Sequence, residues 1–144
     1  MPSVSRTFSV DAQQSTVVGY LKDFANAVEW DPGTQTCTRT DSGPLAVGAT
    51  WHNVSNIFGV TAELTYVLRE LADDKVVFVG SNKSSTSTDT ISVVPDGAGS
   101  KLTYRADLEM NGAAKLLNPV MKLVFEKLAN DTEKQMTTVL NGLN

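Results

Sequence analysis

The residues with the chemistry for proton transfer or nucleophilic attack are few in this sequence. His52 is the only histidine. A Ser-His-Asp triad would depend on it alone, and a polyhistidine metal site is excluded. It follows Trp51 in a run that reads as a strand, where successive side chains face opposite sides. An inward Trp51 therefore leaves His52 outside, as a surface hydrogen-bonding group. Cys37 is the only cysteine, so neither an intramolecular disulfide, a CxxC pair nor a multi-cysteine zinc site can be built, and a metal would have to be held by carboxylates. With no histidine near it in sequence and no helix N-terminus to lower its pKa, Cys37 reads as an inert, half-buried thiol. No metal and no cofactor are expected.

The carboxylates offer slightly more. Glu63 with Glu109, or Asp107 with Arg105 nearby, have the types needed for acid and base work across neighbouring strands. Each lies on the polar side of its run, which favours solvated cross-strand charge. Ser84 to Thr90 is a run of hydroxyls around Asp89, read as a strand with little side-chain burial in preference to a polar binding surface. Gly97-Ala98-Gly99-Ser100 is followed by no helix and no Gly-Lys-Ser/Thr, so it reads as a hairpin turn and not a phosphate loop. Asn53-Val54-Ser55 matches a glycosylation acceptor, which has meaning only in a secreted protein. No catalytic residue is assigned.

Composition narrows the partners. In 144 residues there are 12 Lys+Arg and 16 Asp+Glu, a net charge of −4, with a pI near 4.9. Nucleic acid is not an expected partner, because phosphate backbones demand a basic face. The N-terminal segment has no basic start leading into an apolar stretch, and nothing approaches an apolar run of about 20 residues. The expectation is a cytoplasmic protein with no integral membrane segment. Charged residues make up only 19% and hydrophobic ones 41%, so much of the chain is Ser, Thr, Asn and Gly, which suits strands and turns.

The elements that must position these residues follow from periodicity. Ser3 to Val10 alternates as a strand, and Asp11 can then cap a helix with Gln14 reaching back to it. Val17, Leu21, Phe24 and Val28 recur at helical spacing, and Asp23 can end one short helix and cap a second. Asp31-Pro32-Gly33 stops them. Strands are predicted over Gln35–Thr40, Ala49–Ile57, Val60–Glu70, Lys75–Ser81, Ser85–Val94 and Lys101–Met110, joined by connections too short for parallel crossovers. Asn118-Pro119 opens a final helix to Leu140, about 33 Å long at about 1.5 Å per residue. Nothing marks a second domain, so residues 1–144 are expected to form one.

The order of strand, two short helices, six strands and one long helix resembles the helix-grip fold of the START-like (SRPBCC) superfamily, which includes the birch pollen allergen and the polyketide cyclase/dehydrase-like proteins. Glu29-Trp30-Asp31-Pro32 resembles that superfamily's E-W-x-P turn. Gly43, Gly48 and Trp51 together resemble its G-x-x-x-x-G-x-x-W entry to the third strand, and the segment from Gly112 to Leu140 resembles its C-terminal helix. The resemblance implies an α+β helix-grip fold, a seven-stranded antiparallel sheet wrapped around a long C-terminal helix with two short helices between strands 1 and 2. It also implies a cavity between sheet and helix for a hydrophobic small molecule, a lipid or a polyketide.

The ligand-binding set expected on the sheet side is Trp51, Phe58, Leu64, Tyr66, Phe78, Ile91, Tyr104 and Ala106. On the helix side it is Leu117, Met121, Val124, Phe125 and Leu128. The small inward residues Ala62, Gly80 and Ala106 favour a void over a solid core, and Tyr66 and Tyr104 supply polar groups to orient a ligand. A void of roughly several hundred Å³ is the expected scale. Binding or transport of a hydrophobic ligand is the leading expectation. A polyketide cyclase or dehydratase using Tyr66, Tyr104 or His52 for proton transfer is the alternative. A ribosome-associated protein fits poorly with the acidic pI. An exposed sheet edge is compatible with a monomer or a weak homodimer.

Overall fold

The computed structural model describes residues 3–57, 59–110 and 118–143, with side chains for all of these except residues 57 and 118–121. Strand β1 (Ser3–Val10) leads into helix α1 (Gln14–Leu21), a 3-10 turn (Phe24–Asn26) and the one-turn helix α2 (Ala27–Trp30). Six strands follow, β2 (Thr34–Arg39), β3 (Thr50–Ile57), β4 (Val60–Ala72), β5 (Lys75–Ser81), β6 (Ser85–Asp96) and β7 (Gly99–Met110), before helix α3 (Asn118–Asn141). All pairings are antiparallel, in the order β1-β7-β6-β5-β4-β3-β2. The predicted architecture is the observed one.

Alternation explains why one face of the sheet is dry. In β7, Ser100, Leu102, Tyr104, Ala106 and Leu108 are buried while the residues between them are exposed or half-buried. In β4 the alternation is interrupted by a bulge between Leu68 and Glu70. The extra residue, Arg69, is exposed, and Leu71 returns to the core side behind Leu68, which is what a bulge does to a period of two.

The core is aromatic. Phe24 lies between Tyr66 at 4.3 Å and Phe78 at 4.5 Å, with Trp30 and Trp51 edge-on at 6.0 and 6.1 Å. Asp23 holds this group from the rim, accepting a hydrogen bond from Ala25 N as the cap of the 3-10 turn and another from Trp51 Nε1 at 3.2 Å. Asp11 does not cap α1. That helix begins after Gln13 without a side-chain cap. Gln14 Nε2 donates to Val93 O at 2.8 Å, and Asp11 N donates to Asn141 Oδ1 at 2.8 Å. Tertiary bonds to the sheet and to α3 have replaced the local capping box. Val28 also departs from its predicted stripe and is exposed.

Helix α3 buries Ala129, Thr132, Met136 and Leu140, a stripe at three- and four-residue spacing. Its flank is held to β1 by Arg6, which pairs with Glu126 Oε2 at 2.8 Å and bonds Asn130 Oδ1 at 3.0 Å. Gln135 Nε2 donates to Glu29 O at 3.0 Å. The helix is thus tied to both the sheet edge and α2. No described helix is long and apolar enough to cross a membrane.

Candidate functional site

Cross-strand registry sets the site. One row of partners across the sheet runs Phe78, Asp89, Ala106 and Val4, and the adjacent row runs Tyr66, Gly80, Ser87 and Leu108. Asp89 therefore stands on the inner face with a phenyl ring on one side and a methyl group on the other. It is only 6% exposed. Burial, then the charges of Asp31 and Asp107, push its carboxyl up to about 7, against the lowering effect of a hydrogen bond from Tyr104. That bond, Tyr104 Oη to Asp89 Oδ1, is long at 3.4 Å. It is the hydrogen bond that reaches Asp89 from the described residues.

A cavity of about 90 Å³ opens between this face and α3. Its apolar walls are Val4, Ala106, Phe125, Leu128 and Ala129, and its polar groups are Asp31, Tyr66, Ser87, Asp89, Tyr104 and Thr132. Asp31 comes from the turn after α2, where Gly33 N at 3.2 Å and Thr34 Oγ1 at 2.7 Å donate to its carboxylate. These bonds oppose the burial that raises its pKa. Burial, followed by the charges of Asp89 and Asp31, holds both tyrosine hydroxyls well above their ordinary value. Beside the cavity, the Trp30 ring meets Tyr104 edge-on at 6.1 Å, and Trp30 Nε1 is buried with no hydrogen-bond partner among the described residues. A space of this size holds several waters or a polar head group with a short chain, well short of the several hundred Å³ expected.

The structure brings Tyr66, Tyr104, Ala106, Phe125 and Leu128 together here. Trp51, Phe78 and Ile91 are fully buried in the solid core instead, because the aromatic cluster around Phe24 fills the space beneath them. Leu64 packs half-buried against that core, and Val124 is half-buried outside the lining. Phe58, Leu117 and Met121 lie outside the described residues. Gly80 leaves no void, since the ring of Tyr66 lies across it.

The reading of Ser84–Thr90 as a strand with little burial is corrected at Asp89. Counting back by two from Ile91 and Val93, both fully buried, places Asp89 and Ser87 on the inner face, and that count was the available signal. Asp31 looked like part of a helix stop, and nothing local distinguished it. Glu63 and Glu109 sit on β4 and β7, which are not neighbours. Glu63 instead meets His52 Nε2 at 2.9 Å on the outer face, so His52 does not line the cavity. Arg105 and Asp107 pair at 3.0 Å.

Cys37 is buried, and burial raises its thiol to about 11 against the lowering effect of Asn53. Its alkylation by iodoacetamide at pH 8 is expected to be at least about a hundredfold slower than that of a free thiol. A rate equal to that of free cysteine would contradict this placement. Among the described residues no three His, Cys, Asp or Glu side chains converge as a metal site. A larger groove of about 540 Å³ lies on the surface between α1 and the β4–β5 turn, lined by Gln14, Val18, Lys22, Leu71 and Asp73 among others. It is open to solvent and carries no buried polar group.

Residues 1–141 match the family described as polyketide cyclase / dehydrase and lipid transport. The chain belongs to this family. Several solved structures superpose on this chain over nearly its whole length. A START superfamily protein from Mycobacterium smegmatis superposes with a TM-score of 0.82 at 17% identity, covering 99% of both chains. A protein of Thermus thermophilus gives 0.81 at 12% identity, covering 96% of this chain and 97% of that one. The ZhuI aromatase/cyclase from Streptomyces sp. R1128 gives 0.74 at 12% identity, with 97% and 91% covered. Likenesses at such identities establish the helix-grip fold. No curated protein matches the sequence significantly.

Proposed function

We propose that this protein binds a small amphipathic molecule in the gap between the sheet and α3, with the polar end of the ligand on Asp89, Tyr104 and Tyr66. The observation that carries this is Asp89 itself. A buried carboxylate held by one long hydrogen bond is destabilising, yet this one faces a cavity walled by Phe125, Leu128 and Ala106. A ligand with a hydrogen-bond donor supplies the missing partner and covers the apolar walls. The family's description, which includes lipid transport, supports the same reading.

The test is a titration with 1-hexanol followed by protein NMR shifts. The expected result is saturable binding, weakened more than tenfold by Ala106→Leu, whose side chain would occupy the cavity. Absence of saturable binding across neutral and charged chains of four to eight carbons would overturn the proposal.

One observation favours a second reading. A carboxyl that titrates near neutral pH can both give and take a proton, which suits cyclisation or dehydration of a polyketide-like chain, the chemistry named in the family's description. Under this reading Asp89 is the acid–base group. Asp89→Asn should then abolish turnover of a reactive poly-β-keto substrate while the fold persists, and unchanged turnover would remove the role.

A further inference from the structure

We infer that the ligand carries a protonated amine, seated between the Asp89 and Asp31 carboxylates at the polar end of the cavity. This rests on the binding proposed above and specifies its substrate class. Two carboxylates face the cavity, and no lysine, arginine or histidine lines it among the described residues.

The charged groups on each packing element can be placed. Arg6 on β1 is committed to Glu126 and Asn130. Arg105 and Asp107 on β7 are paired with one another. Helix α3 presents Phe125, Leu128, Ala129 and Thr132 to the cavity, and the Thr132 hydroxyl is already donated to Leu128 O at 2.8 Å. The field in the cavity is therefore negative. At Asp31 burial raises the carboxyl, and the hydrogen bonds from Thr34 Oγ1 and Gly33 N oppose it by favouring the charged form.

Asp89 supplies a separate and more specific signal than the count of acids. It is more than nine-tenths buried, it lines the cavity, and its second oxygen receives no hydrogen bond from the described residues. An ammonium group offers three N–H donors and a full charge, enough for Asp89 and for Asp31 or a tyrosine hydroxyl. Tyr66 and Tyr104 add aromatic surface beside the cation. A neutral alcohol satisfies one acceptor and leaves the charge uncompensated. A carboxylate head is repelled. At pH 8 Asp89 is mostly ionised, so R–NH₃⁺ enters as its counter-ion and no proton changes hands.

The experiment compares hexylamine, 1-hexanol and hexanoate, equal in chain length, by NMR shift titration at pH 8 on the wild type and on Asp89→Asn, with thermal melting to confirm that the variant folds. Hexylamine is expected to bind at least tenfold more tightly than 1-hexanol, and hexanoate not at all. Asp89→Asn should cut the amine's advantage over the alcohol at least threefold, with Asp31 retaining the rest. If 1-hexanol matches or exceeds hexylamine, or if the amine keeps its full advantage in Asp89→Asn, the amine inference fails while the binding site stands. If neither the alcohol nor the amine binds, the site itself fails and the inference with it.

Discussion

Replacing Asp89 by Asn is expected to make the protein more stable at pH 8 and to leave its stability at pH 4 nearly unchanged. The folded carboxyl holds its proton until about 7, whereas its ordinary value is 3.8. Between these values the unfolded chain binds fewer protons than the folded one, so stability falls as pH rises. Roughly three units at about 1.4 kcal/mol each give an effect on the order of 4 kcal/mol. The amide cannot ionise, so this slope disappears from the variant, and a gain of about 2–4 kcal/mol at pH 8 follows. Asp41 titrates in the opposite sense, since its bonds from Arg39 and Thr50 N hold it well below the ordinary carboxylate range. Its contribution is lost only in strong acid and leaves the window from about 4 to about 7 clear. Urea unfolding at pH 4.5 and pH 8 checks this. Parallel pH profiles for the two proteins would show that Asp89 is not held protonated by burial.

The second large effect is at Gly80. A Cβ there would meet ring atoms of Tyr66 at 2.5 to 2.6 Å. The ring has little room to withdraw, because Phe24 lies on it at 4.3 Å. Gly80→Ala is expected to destabilise by about 2–3 kcal/mol, the usual scale for overpacking. It should also push the Tyr66 hydroxyl out of place, weakening ligand binding along with the fold. With Tyr66→Ala as background the clash is gone, and the same change should be neutral or stabilising, since glycine inside a strand costs roughly 0.5–1 kcal/mol relative to alanine. A double-mutant cycle reads the coupling directly. Additive penalties would show that the ring does not depend on the glycine.

Most of the fold was legible because its determinants are local. Period-two alternation in β7 and β4 separated the dry face from the wet one, and a proline-started apolar stripe marked α3. The polar end of the site was not legible for a related reason. Between Ser84 and Thr90 both faces of β6 carry polar residues, so alternation gives no contrast, and only the buried Ile91 and Val93 fix which face Asp89 occupies. The size of the cavity depends on long-range packing. Gly80 suggested empty space, but the volume it frees is taken by Tyr66, its partner on the adjacent strand. Likewise Asp11 had the right spacing for a capping box, and tertiary bonds from Gln14 and to Asn141 won over the local one.

The central claim is that the ligand sits between α3 and the sheet, with its polar end at Asp89. Intermolecular NOEs from bound 1-hexanol test it most directly. The account predicts NOEs from the chain methylenes to the Phe125 ring, the Leu128 methyls and the Ala106 methyl, with the carbinol protons nearest the Tyr104 and Tyr66 rings. NOEs confined to Val18 and Leu71, in the surface groove beside α1, would contradict it.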